Sequence, residues 1–301
     1  MSVAPGGYAW WYCDAISEDG RHGITIIAFI GSVFSPYYAL SGRRDPENHC
    51  TLNVALYGPK ARWAMTERGR EKVKRTVDTF QIGASSVRWE DGDYVVEIDE
   101  TTAPIPSPLR GTVRLKTPWL NPRTFHIDPD GRHRWRPLSP ASRIEVDMKS
   151  PDLKWRGRSY FDMNDGDAPL EADFTFWNWS RAMLEADGVA ICYDTHVRSG
   201  ESRGLALKFD GRGEMEEFEA PPFRRLKPTF WWRAPRQLRS EDEAAAEVVR
   251  TLEDAPFYSR SEIRTRLFGR DYPGVHESLS GDRLASPWVK ALLPFRMPRL
   301  G

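Results

Sequence analysis

Little in this chain points to the common routes of catalysis. Cysteine is scarce: Cys13, Cys50 and Cys192 are the only three in 301 residues, far apart and without a CxxC. That argues against a disulfide framework and for a reducing compartment. No HxH, HExxH or Cys/His cluster offers metal-ligand spacing. GxGxxG and GxxxxGK are absent. Neither a dinucleotide cofactor nor P-loop chemistry is expected, and an α/β-hydrolase mechanism is not expected either. Net charge is missing as well, with 43 Lys and Arg against 43 Asp and Glu, so no global field favours nucleic acid. The one membrane-like stretch, residues 23–40, is broken by Gly31, Ser32, Ser35 and Pro36. It falls short of a span and reads as a buried strand pair or hairpin. The N-terminus lacks a charged lead before an apolar block, so no signal peptide is expected. No Gly/Ser-rich linker, low-complexity tract or strict repeat divides the chain.

What the chain does have is aromatic mass and turn chemistry. It carries 12 tryptophans and 12% aromatic residues, which build large cores or apolar ligand pockets. Asp-Gly, a dipeptide of tight antiparallel turns, occurs six times, at 19–20, 91–92, 130–131, 165–166, 187–188 and 210–211. "RWEDGDYVVEID" and "LEADGVAICYD" read directly as hairpins. "SRIEVDM" sets Ile144, Val146 and Met148 against Arg143, Glu145 and Asp147, as a strand with one buried face requires. Most of residues 8–235 reads as an antiparallel meander, and the fold class as all-β. Two β-barrel or β-sandwich units in tandem fit the length, with a boundary near 150 at "MKSPDLKW", giving domains 1–150 and 151–301.

Helix signals are few. Residues 67–78 form a short helix or an exposed connection. Ser240 and Glu243 have capping-box spacing and predict a helix over "AAAEVVRTLE", stopped by Pro256. Ser286 and Pro287 predict another, with Trp288 and Leu292 on one side and Pro294 at its end. From residue 256 onward eight basic and four acidic residues are interleaved with Phe257, Phe268, Trp288, Leu292, Leu293 and Phe295. Such a tail either packs on the second barrel or touches a membrane surface.

The candidate chemistry lies in two short strings. In "DGRHRWRP", residues 130–137, Arg132, Arg134 and Arg136 share one strand face and His133 and Trp135 the other. If the arginines face solvent, His133 and Trp135 point inward. In "WRGRSYFDMNDG", residues 155–166, Tyr160 and Asp162 share a face, and a carboxylate among apolar neighbours is costly unless something uses it. An acid and a base in an aromatic pocket suit proton transfer. Spacing alone does not say whether the two faces meet. Asp194 and His196 in "CYDTHVRSG" are a rival pair, most simply an exposed hydrogen-bonded one, and His49 reads as loop.

Longer strings carry a resemblance. "GGYAWWYCDAISEDGRHGITIIAFIGSVFSPYY", "NHCTLNVALYG", "RWAMTERG", "FWNWSRAM", "CYDTH" and "LASPWVKALLPFRMPR" together resemble the acyclic carotenoid 1,2-hydratases, the hydroxyneurosporene synthases of purple phototrophic bacteria. The likeness runs from about residue 7 to the C-terminus. It implies a hydro-lyase that adds water across the terminal double bond of neurosporene, lycopene or a similar carotenoid, with no cofactor. It also implies two tandem lipocalin-like antiparallel β-barrels with a few short C-terminal helices. The family's His-x-Trp pair, followed twenty-seven residues on by Tyr-x-Asp, falls on His133, Trp135, Tyr160 and Asp162.

An isolated trisubstituted alkene needs a proton before water can attack. Asp162 is the expected donor, kept neutral by desolvation from Tyr160, Phe161 and Trp135. Trp135 and Tyr160 would stabilise a tertiary cation through their ring faces, and His133 would hold the water. The acid and base roles of Asp162 and His133 remain interchangeable at this level. The expected partners are an acyclic carotenoid and water, not nucleic acid, with peripheral membrane contact. The expected location is cytoplasmic, against the inner or intracytoplasmic membrane. A non-enzymatic lipocalin-like carrier of carotenoid or lipid would share the aromatic lining but not the acid and base.

Overall fold

A computed structural model of the chain describes residues 2–300. The chain is mostly β, as its turn chemistry requires, and it divides into two compact units. One comprises the residues up to Phe125, Arg132–Pro169 and those from Ala291 onward; the other comprises His126–Gly131 and Leu170–Lys290. A cut near residue 150 would separate the strands Ser142–Ser150 and Asp152–Gly166, which pair from Lys149↔Asp152 to Ser142↔Ser159. The compact units therefore do not follow the 150/151 division.

The first unit is built on one long sheet. Its path runs through the strands at residues 299–300, 62–68, 50–57, 23–30, 8–17, 152–166, 142–150, 108–116, 93–101, 85–90, 79–82 and 73–75. The sheet curls until the 62–68 strand approaches 93–101 and the 50–57 strand approaches 79–82. Apolar residues from both halves fill the curl, among them Ile26, Leu52, Val96, Val113, Val146 and Phe161. Alternation decides which residues enter: Ile144, Val146 and Met148 are buried while Arg143 and Asp147 are exposed. Residues 23–40 are not a strand pair. Gly23–Ile30 is a single strand, and Ser35 caps a short helix, Pro36–Leu40, by accepting from the Tyr38 N–H at 2.8 Å.

The second unit holds a seven-stranded antiparallel sheet, ordered 215–217, 202–209, 189–197, 174–183, 270–280, 258–267, 247–254. A two-stranded ribbon, Phe223–Leu226 with Arg236–Arg239, completes it.

The helix expected after Ser240 is a strand, Glu247–Asp254, paired with Tyr258–Leu267. Val248, Val249 and Thr251 are β-branched and favour the pleat. The Ser240 hydroxyl accepts from the Arg266 N–H at 3.2 Å and donates to the Asp242 carbonyl at 2.8 Å. Residues 67–78 are a strand end, one 3-10 turn at Arg70–Lys72 and a three-residue strand. The last helix, Pro287–Arg296, runs through Pro294 rather than ending there. Beyond it, Arg299–Leu300 joins the first unit's sheet beside residues 67–68. The end of the tail thus belongs to the first unit, where Arg299 bonds Glu67 and Asn48. Phe257 is buried; Phe268, Trp288, Leu292 and Phe295 are exposed.

Candidate active site

The site is built on the strand Asp152–Gly166, whose two faces differ along its length. In its first half the even residues Asp152, Lys154 and Arg156 are exposed, whereas Leu153 and Trp155 enter the core. From Ser159 onward both faces are buried. The even face then carries Tyr160, Asp162 and Asn164, so a row that begins with charges in water continues as polar groups out of water. Buried polar groups of this kind need partners.

Two strands supply those partners. On one side Tyr8–Ser17 pairs so that Tyr8, Trp10, Tyr12 and Asp14 lie opposite Gly166, Asn164, Asp162 and Tyr160. On the other, His133–Arg136 pairs so that His133 lies opposite Gly166 and Trp135 opposite Asn164. Directly opposed residues of antiparallel strands share a face. The His-x-Trp and Tyr-x-Asp pairs therefore meet on one face of one sheet.

Their contacts are specific. Trp135 Nε1 donates to Asp162 Oδ2 at 2.8 Å. The Tyr160 hydroxyl donates to the same oxygen at 2.7 Å. Tyr12 packs edge-on against Tyr160, with ring centroids 6.1 Å apart. His133 Nδ1 is hydrogen-bonded to the Tyr8 hydroxyl at 2.8 Å, the two rings nearly parallel with centroids 5.8 Å apart. Gly166 makes that pairing possible. A Cβ there would come within 2.6 Å of the Tyr8 ring and 2.7 Å of His133 Nδ1, so only glycine fits beneath the pair. Gly166, level with His133, is four positions along the strand from Asp162, roughly 13 Å along the backbone. The side chains of His133 and Asp162 do not start from facing positions, and Trp135 and Asn164 occupy the level between them.

The opposite face of the same strand pair is an ionic clamp. Arg134 Nε reaches Asp165 at 2.6 Å, and its two terminal nitrogens hold Asp167 at 2.8 and 3.0 Å. Arg136 also binds Asp165. Hydrogen bonding to Arg134 holds the Asp167 carboxyl below the usual range. Arg134 and Arg136 are therefore half-buried ion-pair partners, not the free solvent-facing residues their alternation suggests; Arg132 is exposed. The clamp fixes the short strand that presents His133 and Trp135.

Other expectations fare differently. Phe161 is buried but sits on the core face, its ring 4.5 Å from that of Tyr94, so it does not desolvate Asp162. Asp194 and His196 are not an exposed acid–base pair. Asp194 is buried and held by Arg239 at 2.7 Å, with burial raising its carboxyl above the ordinary value against that pairing. His196 Nδ1 bonds the Ser202 hydroxyl at 2.8 Å. Ser202 lies in "GESRG", residues 200–204, which matches GxSxG. That string follows an antiparallel turn and enters the strand Ser202–Phe209, not a helix, so it forms no nucleophile elbow. His49 lies, as expected, in the connection before the strand Cys50–Tyr57, where it is buried and bonds Glu67 at 2.8 Å. All three cysteines are free and buried. Among the described residues there is no group of three or more metal-ligating side chains and no helix long and apolar enough to cross a membrane.

Two buried residues of this face were not singled out in the sequence: Tyr8 on His133, and Asp14 opposite Tyr160. The alternation of Tyr8, Trp10, Tyr12 and Asp14 in "YAWWYCD" was the available signal, since it puts four hydrogen-bonding side chains on one strand face.

A family model for the carotenoid hydratase CrtC matches residues 26–301. Acyclic carotenoid 1,2-hydratases are similar along the chain. That of Thiocapsa roseopersicina is 50% identical over 100% of this chain and 75% of its own length. That of Rubrivivax gelatinosus is 48% identical over 99% and 74%, and that of Cereibacter sphaeroides 40% identical over 91% and 98%. Solved structures share the lipocalin-like β fold at low identity. An AttH candidate from Nitrosomonas europaea superposes with a TM-score of 0.64 at 14% identity, over 90% of this chain and 91% of that one. Kievitone hydratase from Nectria haematococca gives 0.60 at 9% identity, over 91% and 89%.

Proposed function

The chain belongs to the carotenoid hydratase family and is a hydro-lyase, and from that premise we propose that it hydrates the terminal 1,2 double bond of acyclic carotenoids such as neurosporene and lycopene. Asp162 delivers a proton to carbon 2, and a tertiary cation forms at carbon 1. Water adds there, losing a proton to His133, and the 1-hydroxy carotenoid leaves. The residues supply every step, so no cofactor enters this scheme. In this reading the two units take the part of two lipocalin-like barrels, and the substrate is a hydrocarbon drawn from a bilayer.

One observation carries the assignment: Trp135 and Tyr160 both donate to a single oxygen of a buried aspartate. With Oδ2 accepting twice, the proton of the neutral acid sits on Oδ1. After transfer the same two donors receive the carboxylate, so the conjugate base forms into a prepared site. The rings that carry those donors also offer aromatic surface to the cation. In its base role His133 gives Nδ1–H to the Tyr8 oxygen and takes the proton of the water at Nε2. The double bond and the water would be held between the side chains of Asp162 and His133.

The test is to incubate purified protein with lycopene in heavy-oxygen water, without added cofactor. A labelled tertiary alcohol is expected. Carotenoid that stays bound and unchanged would make the protein a carrier instead.

A further inference from the structure

The ribbon of the second unit ends in a loop with three consecutive large aromatic residues turned outward. Phe230, Trp231 and Trp232 are 76%, 78% and 39% exposed. Scattered exposed apolar side chains need no explanation, but a contiguous set does. Trp288, 49% exposed, extends the set by stacking on Trp232, with centroids 5.9 Å apart and planes 26° from parallel.

The loop has a fixed shape. Thr229 and Ala234 close it, the Thr229 N–H donating to the Ala234 carbonyl at 3.1 Å and the Ala234 N–H to the Thr229 hydroxyl at 2.8 Å. Asp254 accepts from the N–H groups of Trp231 at 2.7 Å and Trp232 at 3.3 Å. Arg283 donates to the carbonyls of Trp232 at 2.9 Å and Arg233 at 3.3 Å. Much of the tip's backbone is thus satisfied inside the protein. An element that enters an apolar phase needs this, because no water is there to do it.

The surroundings are basic. Residues 221–239 hold Arg224, Arg225, Lys227, Arg233, Arg236 and Arg239, and no Asp or Glu. Arg225, Lys227 and Arg233 are exposed beside the aromatic tip. Tryptophan favours the bilayer interface, and exposed cations next to it favour anionic headgroups. A second copy of this chain, neutral overall, offers no matching charge.

We propose that the Phe230–Trp232 tip, extended by Trp288 and ringed by these cations, is the surface by which the protein docks on an anionic bilayer. The proposal deepens the reading above, in which the substrate resides in the membrane, and it centres the contact on this loop, with Trp288 alone drawn from the tail.

Vesicle flotation tests it, with phosphatidylcholine alone or mixed with phosphatidylglycerol. The unmodified protein is expected to float with the mixed vesicles, less so in high salt, and to be quenched by brominated lipid. Phe230→Ser/Trp231→Ser should weaken binding by about tenfold or more. Arg225→Glu/Lys227→Glu, which keeps both rings, should remove the preference for phosphatidylglycerol. Neither variant should change turnover of detergent-dispersed lycopene. An unmodified protein that binds neither vesicle, or a double-serine variant that binds equally well, overturns the proposal. So does a dimer in gel filtration that the double-serine variant splits into monomers. Flotation without any hydration of lycopene would sink the hydratase reading and leave the docking surface standing; hydration without flotation would do the reverse.

Discussion

The indole N–H of Trp135 donates to Asp162 Oδ2 across 2.8 Å, joining two strands whose side chains lie twenty-seven residues apart in sequence. The Tyr160 hydroxyl reaches the same oxygen. An aspartate supported this way has its orientation fixed by two neighbours on one face.

Asp162→Asn preserves the shape and both incoming hydrogen bonds but has no acid proton to give. The expected loss in kcat is about 10³-fold or more, with carotenoid binding, followed by the pigment's spectral shift, largely intact. Hydration at a substantial fraction of the parent rate would remove Asp162 from the donor role and turn attention to Asp14.

Tyr160→Phe and Trp135→Phe each delete one donor to Oδ2 and keep an aromatic ring. Each should lower kcat by about tenfold. The double variant should lose more than either, because the second donor then has no substitute. Trp135→Ala should be worse and should also unfold at a lower temperature, since it empties a fully buried site; such truncations cost about 3–5 kcal/mol. Equal rates for Trp135→Phe and the unmodified enzyme would show that the indole N–H is idle in turnover.

In the proposed mechanism Tyr8 would act through His133 rather than on substrate, so its test must separate positioning from packing. Tyr8→Phe keeps the stacked ring and removes the hydroxyl 2.8 Å from Nδ1. A fall in kcat, little change in KM and a displaced limb in the pH–rate profile are expected, with the melting temperature nearly unchanged. Gly166→Ala should give the same kinetic signature by wedging the pair apart. A lower melting temperature with normal kcat would mark Tyr8 as packing alone.

Part of this arrangement was legible in the sequence and part was not, for physical reasons. Strand periodicity puts His133 with Trp135 and Tyr160 with Asp162, and those pairings of residues hold. That the two faces meet depends on which strands become neighbours, and the strand Ser142–Ser150 intervenes between them in sequence. The contact to Tyr8 spans 125 residues, beyond any local signal. The reverse failure occurred at Glu247–Asp254, where capping-box spacing at Ser240 is a local cue. Pairing with Tyr258–Leu267 overrode it, as tertiary context commonly overrides propensity.

Away from the site, the first unit carries a titration that stability measurements can read. Glu100 is buried, accepts from Ser85 at 2.9 Å and from Arg68 at 3.1 Å. Desolvation outweighs those contacts and pushes its carboxyl from 4.5 up to about 7. Below pH 4.5 the folded and unfolded chains are both protonated there and nothing is lost. As pH rises toward 7 the unfolded chain releases the proton while the folded one retains it, so this group's contribution to stability declines, and above 7 the loss is complete. The displacement corresponds to about 3 kcal/mol. Glu100→Gln, which keeps the size and an acceptor but cannot titrate, should flatten that decline. Urea unfolding at about pH 5 and about pH 8 should show the parent losing ground to the variant by up to about 3 kcal/mol across the interval. A gap that stays constant between the two pH values would mean that Glu100 releases its proton in the folded protein as readily as in the unfolded chain, with Arg68 compensating fully for its burial.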